Sequence, residues 1–267
     1  MTLAVVFKGA EGIVLAADSR VTLTAQIGNE KISSHYDNAT KLLKVAGQDY
    51  VAAVTYGLGA LGTKTPRTAH SYLSEFEAEL VGANCARLSV RDFADKLGKF
   101  FVKQHAASGT PAQAPDMVFL VGGYDVGAAY GLVFQVKIPS DPIPSEFNAN
   151  DFGLTYGGQN EIAMRILNGV DKRVLGYIQK KFKLKDSDMP NIDQEIRKEN
   201  QLAIPYQFLP LQDCIDLSIL LVRTTTQLMQ YIVGLRGVGG AVDVAAITKV
   251  DGFREIQAKK LRGQRNA

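Results

Sequence analysis

Cysteine and histidine are scarce: two and three residues in a chain of 267. Cys85 and Cys214 are too few for a disulfide framework, and neither sits in a CxxC pair or near a His. His35, His70 and His105 lack the spacing of metal ligands. No metal and no cofactor is therefore expected. A strong charge imbalance is missing too. Thirty Lys and Arg face 27 Asp and Glu for a net charge of +3, with both signs spread along the chain, so nucleic acid and anionic membranes are not expected as main partners. The basic cluster Lys259, Lys260, Arg262 and Arg265 reads as a solvated tail. The N-terminus has no charged leader, and its apolar run is broken at Lys8, which argues against a signal peptide. The longest apolar stretch, Cys214 to Val233, carries Asp216 and Arg223 and reads as a buried helix rather than a membrane span. The expectation is a soluble, cytoplasmic protein with no internal repeat.

What is present is a core: 46% of the residues are hydrophobic. Leu3 to Phe7 and Ile13 to Ala17 are two β-rich runs around a turn at Gly9 to Gly12, which predicts a hairpin buried on both faces. Thr22 to Asn38 is polar and reads as a loop. Lys41 to Ala46 and Val51 to Tyr56 predict a second hairpin. A helix is expected from Pro66, capped by Thr65, to about Leu80, and another capped by Ser89 through Phe101. Met117 to Val121 and Gly131 to Ile138 read as strands, and Pro139 to Ser145 as a connection. Gln159 to Asn168, Asp171 to Lys183 and Asp213 to Val233 read as helices, whereas Leu184 to Gln201 has no clear pattern. Val242 to Thr248 and Gly252 to Ile256 close the chain as strands. Blocks of strands and helices in this order fit sheet layers packed on helix layers, not βαβ units.

The first residue after Met1 is Thr2. Removal of Met1 would place a free α-amino group beside the Thr2 hydroxyl, a known form of activated nucleophile. Thr2-Leu3, Leu15-Ala16-Ala17-Asp18-Ser19-Arg20, Thr40-Lys41-Leu42-Leu43 and Thr55-Tyr56-Gly57 together resemble the N-terminal half of a proteasome β-type subunit. The run Gly239 to Asp243 is similar to that family's lead into its late strands. Here the Lys lies several residues further along, which implies a longer loop. The resemblance implies an N-terminal-nucleophile hydrolase: an α+β protein, a four-layer αββα sandwich of two mainly antiparallel sheets. On that reading, residues 1–267 form a single domain with an added helical segment at 171–211.

The resemblance also assigns roles. Thr2 Oγ would attack a carbonyl while the α-amino group takes its proton. An α-amine titrates near about 7.7–8.0, close to the useful range for a base. Lys41 would be the ammonium beside the hydroxyl, Asp18 its partner, and Arg20 a brace for the cluster. The N–H of Gly57 would face the oxyanion. Thr22 would offer backbone hydrogen bonds to an extended peptide. Val21, Leu43 and Thr55 match positions that shape a specificity pocket, and their uncharged character implies a small or apolar substrate residue. Taken singly, Asp18 and Arg20 read as a strand-end ion pair and Lys41 as an edge charge.

Departures from the family pattern are equally specific. An Asp and a Ser that support the N-terminal amine align with Leu235 and Val238, and a further Ser aligns with Gly157. Arg236, Gln159 or Asn160 are candidate substitutes. Three functions follow: a threonine amidohydrolase or peptidase acting on peptides or proteins, a catalytically silent ring or scaffold subunit, and a protein ligase using the same Thr2 acyl-enzyme. Retention of Met1 would favour the silent form. Self-assembly into a homo-oligomer, as stacked rings, is implied in each case. Gly57-Leu58-Gly59-Ala60-Leu61-Gly62 fits G-x-G-x-x-G, but the expected helix starts only at Pro66, too late for a dinucleotide site.

Overall fold

A computed structural model describes residues 2–27, 30–234 and 236–260. Met1, Leu235, Arg262 and Arg265 lie outside the described residues. The chain forms two compact units, one running to Gly158 and resuming at Tyr206, the other Gln159–Pro205.

The larger unit contains two five-stranded antiparallel sheets. The first has the order β10-β1-β2-β11-β12, built from β1 (Leu3–Lys8), β2 (Ile13–Asp18), β10 (Gly153–Gly158), β11 (Val242–Thr248) and β12 (Gly252–Gln257). Two of its three interior strands, β1 and β2, are buried at every residue. That explains their continuous apolar character: with both faces covered, no solvent side remains to impose alternation. The second sheet has the order β5-β6-β7-β8-β9, from β5 (Leu42–Leu43), β6 (Val51–Gly57), β7 (Met117–Gly123), β8 (Leu132–Ile138) and β9 (Asp141–Phe147). Ala4, Val6, Ile13 and Leu15 of the first sheet share one apolar cluster with Ala52, Val54, Leu120 and Val133 of the second.

Helices cover the sheets. α1 (Leu73–Gly82) and α2 (Val90–Ser108) supply Phe76, Phe93, Leu97 and Phe101 to a cluster with Phe119, Phe134 and Val136. Ser89 caps α2 by accepting from the Asp92 N–H at 3.0 Å. α6 (Leu211–Met229) packs on β1, β2 and β11. Among the described residues no helix is long and apolar enough to cross a membrane.

The smaller unit holds α3 (Glu161–Asn168), α4 (Lys172–Phe182) and α5 (Met189–Asn200). The unpatterned stretch around 184–201 is thus largely helical. α5 has no buried residue, so its pattern carries no fully covered apolar face.

Several expectations are corrected. The polar stretch expected as a loop holds strands at residues 22–27 and 30–36. β3 (Val21–Ile27) and β4 (Glu30–Tyr36) form a two-stranded hairpin that joins neither large sheet. A strand pair outside the main sheets has no layered core to demand apolar alternation. Pro139 to Ser145 is not merely a connection, because Asp141–Phe147 forms the edge strand β9; Pro142 and Pro144 are tolerated where one side of the strand needs no N–H donors. Pro66 does not open a helix. Leu61 and Arg67 exchange backbone hydrogen bonds of 2.8 Å around it, and helical structure starts as a 3-10 turn at Ala69–Tyr72.

Candidate active site

β2 ends on Asp18, whose carboxylate is fully buried. It accepts four hydrogen bonds from four separate stretches of chain. The Lys41 ammonium donates to Oδ1 at 2.8 Å and the Leu3 N–H to the same oxygen at 3.1 Å. The N–H groups of Arg20 and Gly239 donate to Oδ2 at 3.1 and 2.9 Å. A charge buried so completely is tolerable only when every lone pair is used and an opposite charge adjoins it. Burial lowers the Lys41 pKa from its ordinary value, opposed by the attraction of Asp18. The Leu3 contact ties the carboxylate to the N-terminal strand, one peptide unit from Thr2.

Thr2, itself 5% exposed, lines a narrow crevice with Val21, Lys41, Thr55, Tyr56 and Gly57. Its space is about 20 Å³, room for one or two waters at about 10–15 Å³ each. Gly57 has φ +84°, and a Cβ there would stand 2.2 Å from the Asp116 carbonyl oxygen, so only glycine fits. The Thr55 N–H donates to Lys41 O on one side of β6, and the Leu58 N–H to Asp116 O on the other. Alternation along the strand therefore turns the Gly57 N–H to the Thr55 side, toward the crevice. A larger cavity of about 600 Å³, lined by Leu23, Tyr36, Ala60 and Pro66, shares Val21, Ala39 and Thr68 with this crevice.

The remaining candidate residues divide. Val21 and Thr55 are crevice walls, and the Thr55 hydroxyl donates to Val118 O at 3.0 Å. Leu43 is not a crevice wall. It is 1% exposed and packed in the aromatic core, because strand alternation turns it to that face. Thr22 pairs with His35 across the β3–β4 hairpin, and its hydroxyl lies 3.0 Å from His35 Nδ1. The Arg20 guanidinium holds Asp37 through two hydrogen bonds of 2.5 and 2.7 Å and donates to Arg236 O at 3.1 Å. That pairing lowers the Asp37 pKa. Only the backbone N–H of Arg20 reaches Asp18. Asp37 lies in the polar stretch 22–38, where no sequence pattern marks it.

Two glycines of β10 allow close approach at the crevice. A Cβ at Gly157 would lie 2.1 Å from Tyr56 Cζ, so the Tyr56 ring fills the space of any side chain there. The Tyr56 hydroxyl accepts from Gln135 Nε2 at 2.9 Å. Gly158, at φ +90°, lets β10 approach the Thr2 carbonyl oxygen, which a Cβ would meet at 1.8 Å. Val238 is completely buried. Gln159 and Asn160 belong to the smaller unit.

No family model matches the sequence, and no curated protein matches it. Among solved structures the chain is similar to a Gly-1 mutant of Anbu from Hyphomicrobium sp. strain MC1, with a TM-score of 0.56. The match covers 97% of this chain and 86% of that one at 15% identity. The fold is proteasome-like. An identity that low speaks for the fold alone. A proteasome-like fold is consistent with the mixed α/β chain and its two large antiparallel sheets. Among the described residues, no group of three or more His, Cys, Asp or Glu could hold a metal ion.

Proposed function

We propose that the chain is an N-terminal threonine amidohydrolase or peptidase of the αββα type, acting on peptide bonds once Met1 is removed. The observation that carries this reading is the buried Asp18–Lys41 pair, anchored to the N-terminal strand at Leu3 and lining, through Lys41, the crevice that holds Thr2.

In this reading the α-amine of Thr2 takes the hydroxyl proton through a water in the crevice, and Oγ attacks the scissile carbonyl. The Lys41 ammonium lowers the cost of negative charge at Oγ, and the Gly57 N–H stabilises the oxyanion. Collapse expels the amine product with the proton and leaves a Thr2 ester, which water hydrolyses to a carboxylic acid. The open edge of β3 would take an extended peptide and the 600 Å³ cavity one of its side chains. Assembly of identical chains, as the resemblance implies, belongs to the same proposal.

A specific observation favours a second reading. Val238 is buried and apolar and Tyr56 occupies the side-chain space at Gly157, so the polar support of the amine differs from the family's. A silent ring subunit would tolerate this. Intact mass before and after treatment with a peptide vinyl sulfone or epoxyketone separates the two. Loss of Met1 with one adduct on Thr2 is expected. A chain that keeps Met1 and takes no label would exclude the enzyme reading.

A further inference from the structure

A second ion pair stands behind Lys41, and nothing in the chemistry above uses it. Asp243, on β11, is 4% exposed. Its Oδ1 accepts from the Lys259 backbone N–H at 2.9 Å, and its Oδ2 accepts from the Lys259 ammonium. One residue of the C-terminal segment thus clamps both carboxylate oxygens. Gln257 adds a bond from its Nε2 to Val242 O at 2.7 Å.

This clamp sits on the strand that supports Asp18. In the β11–β2 register Val242 opposes Asp18 and Asp243 opposes Ala17. Just before β11, Gly239 donates to Asp18, accepts from the Ser19 N–H at 3.1 Å, and precedes Ala241, whose carbonyl takes the Ser19 hydroxyl at 2.5 Å. On the other side, Asp243, Gln257 and Lys259 line a cavity of about 250 Å³ together with Thr40 and Leu42, the two neighbours of Lys41. Residues 40–42 therefore form a wall with the Thr2 crevice on one side and the Asp243–Lys259 pair on the other.

We infer that Lys259 and Asp243 are positioning residues for the site, a C-terminal strap that holds β11 against Asp18 and sets the electrostatic balance at Lys41. The role assigned to Lys41 in catalysis rests on the function proposed above; the coupling between the two pairs does not. The charges around Lys41 are Asp18 on β2, Asp243 on β11 and Lys259 on the C-terminal segment, with Glu255 of β12 lining the shared cavity. Arg20 and Asp37 neutralise one another nearby, and Tyr56 is the phenol of the crevice. Lys259 opposes the ammonium form of Lys41 and Asp243 favours it.

The test follows the titration of Lys41 by NMR of the full chain carrying [ε-13C]lysine, its resonance assigned with Lys41→Arg. Lys259→Gln should raise the Lys41 midpoint and Asp243→Asn should lower it, the directions set by their opposite charges beside the ammonium. Lys259→Arg should restore the wild-type value. If Asp243→Asn does not fold, the two Lys259 variants decide the matter alone. A merely structural strap would lower thermal stability in Lys259→Gln without moving the midpoint, and that result would overturn the inference. The pH profile of Thr2 labelling is measured in parallel. A chain in which Lys41 responds but Thr2 never labels would leave the coupling standing and refute the proposed function.

Discussion

Asp18 in the larger unit and Asp171 in the smaller are both completely buried carboxylates, yet they do different work. Asp171 caps α4 from the adjacent position. Its Oδ1 accepts the Arg173 and Val174 N–H groups at 2.9 Å each, and Oδ2 pairs with Arg165, whose side chain is 56% exposed. Every partner lies within six residues. Burial pushes the Asp171 pKa up, but the Val174 N–H and the Arg165 guanidinium outweigh it and hold it below the usual value. Asp18 reaches Leu3, Lys41 and Gly239, 15, 23 and 221 residues away. A local cap stabilises one helix. A carboxylate that collects partners from distant segments registers those segments against each other, and such registration is what a site requires.

The largest effect should come from breaking the distant set. Asp18→Ala leaves Lys41 buried without its partner and should cost about 3–5 kcal/mol, read as a lower urea midpoint, together with loss of Thr2 labelling. Replacing Lys41 as well should recover part of the stability but not the labelling, which a double-mutant cycle measures.

Gly157→Ser probes another long-range contact. The new side chain meets the Tyr56 ring, and overpacking of this kind costs about 1–3 kcal/mol. Thermal melts should show that loss, and Tyr56→Ala in the same chain should reduce it. Equal losses with and without the Tyr56 ring would show that the clash is not the cause.

Asp171→Ala should cost about 0.5–2 kcal/mol, the range for a lost helix cap. Hydrogen exchange should report it in residues 172–182 and leave Thr2 labelling unchanged. An effect on labelling would erase the contrast between the two aspartates.

The smallest effect belongs to the Arg20–Asp37 pair, where Asp37 is 43% exposed. The folded pKa of Asp37 lies below its ordinary 3.8, so its contribution is complete above about pH 4 and is lost as pH falls through the lowered value. Solvent screening limits it to about 0–1 kcal/mol. Asp37→Asn should flatten the acid limb of a stability–pH curve by no more than that.

Much of the larger unit was readable because its hairpins are buried on both faces and appear as uninterrupted apolar runs, as at Leu3 to Phe7 and Ile13 to Ala17. The β3–β4 hairpin and the proline-bearing β9 were not, since strands at an edge or outside the main sheets have no fixed hydrophobic period. In the candidate site, Thr2, Asp18, Lys41 and Gly57 could be picked out by residue type and spacing. Tyr56 and Asp243 stood inside quoted motifs without a role, and Asp37 and Lys259 stood outside them, because their importance lies in contacts with residues far away in the chain.

The sequence by itself determined a sizeable core, mixed strand and helix blocks, and a threonine one residue from the start of a buried strand. Each follows from composition or local pattern, which physical chemistry reads one segment at a time. Only the tertiary structure decided that Asp18 gathers Leu3, Lys41 and Gly239, that Leu43 belongs to the core rather than the crevice, and that Lys259 closes over Asp243. Contacts between segments separated by tens or hundreds of residues arise when the sheets pair and pack, and no local periodicity encodes them.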